Sequence, residues 1–473
     1  MTAAPSPAPR RPAVTVIAVN YNGRELIEPL GRSLLAQDYP ETELVLVDNG
    51  SSDGSVELAR HSVPALRLIE LGRNLGFARA NNLAIRASTA PYVCLVNTDV
   101  VLEPTFLTAL VERAESDPSI AACAAKLRLD PQRQVLNGVG GAMNRIGWSW
   151  DRGMYEIDRG QLDRSEEVLF ASAGACLYRR AAFLEAGGFD EAFFMYHEDV
   201  DLGWRLWQLG GRSVTAPAAV AYHRFGASSS KSGDLRERLG ERNNIRALLK
   251  NYPAGRAVSN LGRLLSQPRP PALWWRLLRS AGWNLAQAPS TWRERRRIQA
   301  RRCSSGRRPL ERLILDSDGM ATIVPSYRIA LLEDFRASVP PREIVIERNE
   351  SGALGYGWHP VERLGGGALR WTAFEAQLFL ANQPAGRALE LELVAPPAGG
   401  GFSLALAAGD NLLATHEIES GTVPKLDCPL PGGCGRILDL RLRVAPTWIP
   451  HQRFDNRDYR RLGIGLRAAR IRS

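Results

Sequence analysis

Residues 14–23 read VTVIAVNYNG, an apolar strand-like run that ends in a small polar cluster. The same pattern recurs in ELVLVDNGSSDG at residues 43–54, in LRLIELGRNLGF at residues 66–77 and in YVCLVNTDV at residues 92–100. Helix-like segments separate these runs, and the resulting βαβαβαβ order predicts a parallel nucleotide-binding half-sheet. Because the carboxyl ends of parallel strands share one edge, the polar clusters should converge on a single ligand crevice.

Length and charge favour more than one domain and an anionic partner. The chain has 473 residues, 45% of them hydrophobic, which is enough for more than one buried core. Its formal net charge of +10 favours nucleic acid, an acidic membrane surface or a phosphorylated small substrate. No helix-turn-helix or RNP-type pattern appears, and the basic residues are not interleaved with aromatic ones on a sheet face, so we expect no nucleic acid.

The N terminus and the cysteines predict where the protein resides. The opening MTAAPSPAPRRPA lacks the apolar core of a secretory signal, so residues 1–12 are predicted to form a disordered tail. No apolar run reaches the length of about 18 residues that suggests a membrane span. The six cysteines show no metal-ligand spacing, which is typical of reduced thiols in the cytoplasm. We therefore expect a cytoplasmic protein, either soluble or peripheral on the inner face of the cell membrane.

The remaining chain divides into three predicted segments. The sheet domain occupies residues 13–252, and residues 253–340 form a basic helical connector with tryptophans, as in ALWWRLLRSAGWNLAQ. This connector is either a solvated segment packed on the first domain or a helical pair that lies on an anionic membrane surface. Residues 341–473 alternate short strands with Gly and Pro turns, which predicts an antiparallel β-sandwich. Its Trp358 and Trp371 suit either stacking on a ligand or a β core.

Polar residues at the strand ends supply candidate ligands. Asp48 and Asp53 suit a nucleobase and ribose, or an ordinary turn that caps the next helix. The segment LGRNLGFARANN supplies Arg73 and two asparagines near a helix start, where a phosphate or base is favoured. Asp99 follows a buried strand, where a carboxylate can hold Mg²⁺ or Mn²⁺ against a diphosphate; the alternative is a capped turn.

A third cluster, FFMYHEDVD at residues 193–201, places Glu198, Asp199 and Asp201 at the start of a predicted helix. One interpretation is that these carboxylates cap the N-terminal end of the helix, which carries a partial positive charge. Apolar and aromatic neighbours would also raise the pKa of at least one of these carboxyls, as a general base requires. Ahead of the cluster, a small-residue loop at Gly174 either leaves room for a ligand or packs tightly.

The order of the motifs resembles family 2 inverting glycosyltransferases with the GT-A fold, especially the rhamnosyl- and galactofuranosyltransferase-like branch. The motifs are VNYNG, VDNGSSDGS, RNLGFARANN, LVNTD, GACLYRR, GGFDEAFFMYHEDVDLGWR and a late histidine, His223. The resemblance covers about residues 14–252. The expected fold class is therefore α/β: a GT-A, Rossmann-like nucleotide-binding domain, a helical connector and a C-terminal antiparallel β-sandwich of carbohydrate-binding-like type.

The resemblance implies a role for each candidate side chain. Asp199 looks like the catalytic base, with Glu198 as the contender, while Asp99 and His223 look like the ligands of Mg²⁺ or Mn²⁺. Asn97 replaces the first aspartate of the family's DxD element, so Asp99 should carry most of the metal contact. The implied nucleotide contacts are Asn20, Asp48, Asn49, Asp53, Arg73, Asn74, Asn81 and Asn97. The implied acceptor contacts are Gly174, Ala175 and Asp201.

The expected function is inverting transfer of a sugar from a nucleotide-diphosphate donor to a saccharide or polyprenyl-linked saccharide acceptor in cell-envelope polysaccharide synthesis. The base would take the proton of the acceptor hydroxyl while the metal neutralises the departing diphosphate. The alternative is a catalytically idle GT-A-like protein that binds carbohydrate or serves as a scaffold. The joint presence of Asp99, Asp199 and His223 favours the enzyme, because a binding protein would not need all three.

Overall fold

The computed structural model of this chain describes most residues between 11 and 472. The described residues are 11–130, 133–144, 147–154, 158, 160, 162–224, 235–266, 271–302, 310, 313–315, 339–350, 353–355, 357–364, 367–373, 375–382, 388–397, 400–409, 411–430, 436–447 and 462–472. Most of the predicted tail and the end of the predicted connector therefore lie outside the described residues. Two compact units are present, the first largely residues 1–315 and the second largely residues 316–473.

Four parallel strands form the nucleotide-binding half of the first unit, in the order β3–β2–β1–β4. They are β1 (Val14–Asn20), β2 (Thr42–Asp48), β3 (Arg67–Glu70) and β4 (Tyr92–Val96). The register pairs Asn20 with Asp48, so the last residues of β1 and β2 lie side by side. The predicted convergence of polar strand ends is therefore confirmed for the two central strands.

Strands of mixed direction extend the sheet beyond β4: β10 is antiparallel to both of its neighbours, whereas β6 and β11 are parallel. The remaining strands up to residue 315 are β5 (Val100–Leu102), β6 (Ile120–Leu129), β7 (Leu136–Val139), β8 (Gly141–Asn144), β9 (Ser149–Asp151), β10 (Ala175–Arg179), β11 (Arg212–His223) and β12 (Ile314–Leu315). The main sheet continues from β4 through β10, β6 and β11 to β5. Strand β11 runs antiparallel to β5 and pairs His223 with Val100, the neighbour of Asp99. This pairing is what brings the late histidine to the carboxyl end of β4.

Helices cover both faces of this sheet, which is why β4 is apolar along its whole length. Along β4, Tyr92, Cys94 and Val96 enter one core and Val93 and Leu95 enter the other. The helices are α1 (Arg24–Leu35), α2 (Ser55–Ser62), α3 (Phe77–Ala87), α4 (Phe106–Glu115), α5 (Arg180–Glu185) and α6 (Glu198–Gln208). A single 3₁₀ turn, Glu191–Phe193, precedes α6.

Four further helices belong to the same unit as the sheet. They are α7 (Leu235–Asn251), α8 (Ala254–Leu265), α9 (Pro271–Ala286) and α10 (Ala288–Ala300). Leu248 of α7 and Leu277 of α9 share a core with Trp204 of α6. The predicted boundary at residue 252 therefore differs from the structure, because the basic, polar face of these helices concealed an apolar face that packs inward.

The second unit is a two-layered antiparallel β-sandwich, as predicted. Its strands are β13 (Glu343–Val345), β14 (Trp358–Leu364), β15 (Gly367–Thr372), β16 (Glu375–Ala381), β17 (Ala388–Val394), β18 (Gly401–Ala408), β19 (Asn411–Glu419), β20 (Lys425–Pro429), β21 (Ile437–Ala445) and β22 (Gly465–Arg472). Leu391 of one sheet and Leu404 of the other lie in one core. Trp358 and Trp371 are buried, so they are core residues and do not present a glycan-stacking surface.

Candidate active site

The ends of β1 and β2 are joined by buried polar side chains. The Nδ2 atom of Asn20 lies 3.3 Å from Asp48 Oδ1, 3.0 Å from Ser51 Oγ and 2.8 Å from Ser55 Oγ. Asp48 Oδ2 accepts hydrogen bonds from the backbone N–H groups of Gly50, at 3.1 Å, and Ser51, at 3.0 Å. Since both Asn20 and Asp48 are buried, their first role is to shape the loop that follows β2.

A second set of contacts fixes this loop to the one that follows β3. Asn49 Nδ2 donates to Asn74 Oδ1 at 3.0 Å, and Asn49 Oδ1 accepts from the Leu75 N–H at 2.7 Å. Gly50 has φ +85°, and a Cβ atom there would lie 2.6 Å from the Cα atom of Arg73, so glycine is required. The side chains of Arg73 and Asn74 remain exposed, where a substrate anion can reach them.

Asp53 and Asn81 have different surroundings. Asp53 accepts hydrogen bonds from the backbone N–H groups of Arg24 (2.9 Å) and Ser55 (3.1 Å). Burial alone would raise the pKa of Asp53, but these bonds and one from the Ser55 hydroxyl outweigh it and lower the pKa. Asn81 is buried inside α3 and donates to the carbonyl oxygen of Phe77 at 3.0 Å. Its predicted nucleotide contact differs from the structure, because the side chain faces its own helix.

Asp99 and His223 meet, as the predicted metal site requires. His223 Nε2 lies 3.2 Å from Asp99 Oδ1, and His223 Nδ1 lies 2.7 Å from the amide oxygen of Asn137. An amide oxygen accepts hydrogen bonds, so Nδ1 is placed to donate to Asn137, and Nε2 faces the carboxylate of Asp99. A nitrogen and a carboxylate oxygen at this distance can share a cation.

This arrangement fits a divalent metal ion. An imidazole whose Nδ1–H is fixed by an oxygen acceptor is the usual form of a metal-bound histidine. Mg²⁺ is commonly held by one or two carboxylates together with substrate phosphates, so a small protein ligand set is sufficient. Within the described part of the chain, no group of three His, Cys, Asp or Glu side chains could hold a metal by itself. The remaining ligands would then come from the substrate.

The predicted acceptor loop lies beside this site. The Asn97 N–H donates to the Gly174 carbonyl at 2.9 Å, and a Cβ atom on Gly174 would reach only ordinary contact, 3.6 Å from Asn97 Nδ2. A methyl group at position 174 would therefore fit in ordinary contact with Asn97, Leu127 and Ser172. Ala175 differs from its prediction: it begins β10, pairs with Val96, and its methyl group is buried in the sheet core.

Glu198 and Asp199 differ in burial, and burial affects the pKa of each carboxyl. Asp199 is half-buried, and its carboxylate accepts from the N–H groups of Ala173 (3.1 Å) and Val200 (2.8 Å). Burial nevertheless raises the pKa of Asp199. Glu198 is buried, and burial together with the neighbouring Asp199 charge raises its pKa well above the ordinary range. Of the two carboxyls, Glu198 is therefore the more deeply buried and Asp199 the more accessible.

Asp201 has a structural role instead of the predicted acceptor contact. Its side chain is fully buried, with Oδ2 at 2.7 Å from Arg205 Nη2 and 3.0 Å from Lys250 Nζ. Asn251 Nδ2 donates to the other carboxylate oxygen at 2.8 Å. Burial would raise the pKa of Asp201, but Arg205 and Lys250 outweigh it and lower the pKa. An acceptor sugar cannot reach this carboxylate, which instead joins α6 to α7.

The loop that leads into α6 is strained. Phe194, Tyr196 and His197 each have φ +68°, a left-handed conformation that costs a non-glycine residue about 1–3 kcal/mol. His197 caps α6, and burial lowers its pKa to about 4, so the imidazole is neutral near pH 7. The loop also touches the start of α3, where a Cβ atom on Gly76 would lie 2.5 Å from Phe194 Cδ2. Such strain persists only where the surroundings impose it.

Helix α7 supplies the side chains that hold this loop. Asn243 is fully buried, and its Nδ2 atom lies 3.1 Å from the Phe193 carbonyl, 2.9 Å from that of Met195 and 2.7 Å from that of Tyr196. Arg242 donates to the Phe193 carbonyl at 2.9 Å. Sequence reasoning missed both residues, because they lie beyond the motifs. The available signal was the polar run ERNN, residues 241–244, inside a helical pattern.

Asn243→Ala should lower kcat by about tenfold, because loss of the Nδ2 donor releases the loop that positions the start of α6 and hence Asp199, and small misplacements of catalytic groups are costly. The free energy of unfolding should fall by about 1–3 kcal/mol, because the carbonyls that Asn243 holds would lose their donor.

Asn284→Ala is the matched control, since Asn284 is buried in the same helical layer and donates to the carbonyls of Arg242 (3.0 Å) and Ser280 (2.8 Å). Steady-state kinetics and denaturant titration of both variants would test this, and equal kcat losses would contradict it.

Comparison with known proteins identifies the family of this chain. The profile of the family described as Glycosyl transferase family 2 matches residues 15–187. The N-acetylglucosaminyl-diphospho-decaprenol L-rhamnosyltransferase of Mycobacterium tuberculosis is 35% identical over 239 residues, which cover 46% of this chain and 77% of that protein. The O-antigen biosynthesis protein RfbC of Myxococcus xanthus is 29% identical over 233 residues, 47% of this chain and 18% of that protein.

A solved structure with a similar fold is the mannosyltransferase PcManGT of Pyrobaculum calidifontis in complex with GDP-Man and Mn²⁺. It shares 20% identity, covers 62% of this chain and 86% of its own, and has a TM-score of 0.39. The family match and the 35% identical relative, most of whose length aligns, decide the assignment. The chain therefore belongs to glycosyltransferase family 2 and is a glycosyltransferase that uses a nucleotide-activated sugar.

Proposed function

We propose that this enzyme transfers a sugar, with inversion at the anomeric carbon, from a nucleotide-diphosphate donor to a hydroxyl of a lipid-linked saccharide during cell-envelope polysaccharide synthesis. The supporting observation is that residues 173 and 174 join the two chemical centres. Asp199 accepts from the N–H of residue 173, and the carbonyl of residue 174 accepts from the N–H of Asn97, two residues before Asp99. The candidate proton acceptor and the candidate cation-binding pair are therefore linked through one short loop, which supports the proposal that both act on the same reaction.

In the proposed reaction, Asp199 takes the proton of the acceptor hydroxyl as its oxygen forms a bond to the anomeric carbon. The bond from that carbon to the diphosphate oxygen breaks, and the nucleoside diphosphate leaves with the electron pair. Direct displacement inverts the anomeric configuration. Asp99 and His223 would hold Mg²⁺ or Mn²⁺, which supplies positive charge to the leaving group. The exposed guanidinium of Arg73 is available to the same phosphates.

The relative from Mycobacterium tuberculosis indicates which substrates to test first. Its name specifies L-rhamnosyl transfer to N-acetylglucosaminyl-diphospho-decaprenol. By similarity, we propose a saccharide on a polyprenyl diphosphate as the acceptor and a rhamnosyl nucleotide as the first donor to examine. Such an acceptor is presented at the inner face of the cell membrane, which is where we propose that this chain acts.

The test is transfer by the purified full-length protein across a panel of UDP-, dTDP- and GDP-sugars, with Mg²⁺ or Mn²⁺ and a polyprenyl-diphosphate-linked saccharide. We expect one donor to give metal-dependent, acceptor-dependent release of nucleoside diphosphate, with a product heavier by one sugar residue. Donor binding without turnover for every donor and acceptor would contradict the proposal. That result would favour the alternative of a catalytically idle, carbohydrate-binding scaffold.

A further inference from the structure

The positive charge of this chain is concentrated in one helical segment. Residues 254–302, which include α8, α9 and α10, contain eleven arginines and a single acidic residue, Glu294. Their formal charge of +10 equals the net charge of the whole chain, so the remainder is balanced. The proposed nucleotide contacts lie elsewhere, at the strand ends before residue 100. The diphosphate of the donor therefore does not account for this charge.

The inward face of α9 is fixed by packing. Leu277 is buried in the core shared with α6 and α7, and Ser280 and Asn284 are also buried. The guanidinium of Arg242 lies 4.2 Å from the ring centroid of Trp283, a cation–π contact. These contacts determine which side of α9 points outward.

The outward face of α9 is apolar and exposed. Trp275 is 74% exposed, Leu278 57% and Leu285 76%, and helical periodicity places all three on one stripe with Trp274. On α10, Trp292 is 58% exposed and lies one turn before the exposed Arg296. Large apolar side chains gathered on one helix face and bordered by arginines are typical of an interaction surface rather than of ordinary solvent exposure.

We propose that this surface, the outward stripe of α9 with the exposed arginines of α9 and α10, docks on an anionic lipid bilayer. Tryptophan and leucine enter the boundary between headgroups and acyl chains, and arginines contact lipid phosphates. Each basic residue near an anionic membrane adds favourable electrostatic energy. No helix of the described residues is long and apolar enough to cross a membrane, so the contact is interfacial.

Charge complementarity favours an anionic bilayer over a second copy of the chain or a nucleic acid as the partner of this surface. A second copy of the chain would bring another segment of charge +10 against the first, which is repulsive. A nucleic acid would use the arginines but gains nothing from Leu278 and Leu285, which offer no ring on which a base stacks. An anionic bilayer satisfies both the arginines and the leucines.

This inference adds a membrane partner to the proposed function. It rests on that function only for the reason to dock, which is access to a lipid-linked acceptor. It is tested without any sugar substrate, by co-sedimentation of the full-length protein with phosphatidylcholine vesicles with and without phosphatidylglycerol. We expect binding to the anionic vesicles, weakened by added salt. Replacing Trp275→Ser and Leu285→Gln together should reduce vesicle affinity at least about tenfold, because two buried apolar side chains are lost.

Leu412→Ser is the matched control, since Leu412 is an exposed leucine, 64% accessible, in the second unit. It should bind vesicles as the wild type does. Unchanged binding by the double variant, absence of binding to anionic vesicles, or displacement of the vesicles by RNA would overturn the proposal. Sugar transfer to a water-soluble acceptor analogue separates the membrane proposal from the proposed function. A double variant that transfers sugar normally but does not bind vesicles would support both proposals. A wild-type protein that binds vesicles but transfers no sugar would contradict only the proposed function.

Discussion

Asp199→Asn should lower kcat for sugar transfer by about 10³-fold, within the range measured for loss of a general base. The substitution keeps the shape of the side chain, and its amide oxygen can still accept from the Ala173 N–H. What is lost is the ability to take a proton from the acceptor hydroxyl. Because Asp199 does not touch the donor in the proposed reaction, donor affinity should be unchanged. Steady-state transfer assays together with a donor-binding titration would measure the two quantities separately.

Glu198→Gln is the matched control for this prediction. Burial and the neighbouring Asp199 charge raise the pKa of Glu198 well above its ordinary range, so a neutral amide of the same size should change kcat only slightly. The two variants differ by one position in the chain and remove the same kind of group. A large loss in Glu198→Gln with little loss in Asp199→Asn would reverse the assignment of the base.

The pH dependence gives an independent readout of the same group. Burial raises the pKa of Asp199 above its ordinary value of 3.8. A base acts in its deprotonated form, so kcat/KM should rise with pH along a limb centred above pH 3.8 and then level off. The residual activity of Asp199→Asn should lack this limb. An identical limb in wild type and variant would assign the titration to another group.

The fold of the first unit could be predicted because its signals are local. Apolar runs that end in polar residues gave β1, β2 and β4, and the structure places Asn20 beside Asp48 at their ends. The meeting of Asp99 with His223 depends on the pairing of β11 with β5, a long-range register that no local pattern encodes. That contact could be expected only from the resemblance to a known family.

Other parts of the site could not be predicted, because burial is decided by distant partners. An acidic side chain at a helix start looks exposed, yet Asp201 is buried since Lys250 and Arg205 neutralise it. Asn243 resembles any polar residue of an amphipathic helix, and only the structure reveals the carbonyls that it holds. The orientation of α9 could not be predicted for the same reason. The helix has one apolar face that is buried and a second that is exposed, and the sequence does not show which of the two packs inward.

A second large effect is expected at the proposed metal site. Asp99→Asn should reduce kcat about 100-fold or more, because several kcal/mol of charge stabilisation at the leaving diphosphate is lost with the metal ion. An asparagine amide group could donate directly to His223 Nε2, which lies 3.2 Å from Asp99 Oδ1 in the native protein. This contact would keep the two side chains together, so the variant should fold normally.

The decisive measurement is Mn²⁺ binding in the presence of nucleoside diphosphate, followed by electron paramagnetic resonance and independent of turnover. Asp99→Asn and His223→Ala should both weaken the Mn²⁺-dependent part of nucleotide binding, since each removes one of the two ligands. Asn97→Asp is the matched control: it changes the neighbouring position, adds a carboxylate and keeps the pair intact, so Mn²⁺ should still bind. Undiminished Mn²⁺ binding by Asp99→Asn would place the cation elsewhere and leave the close approach of Asp99 and His223 as a structural contact.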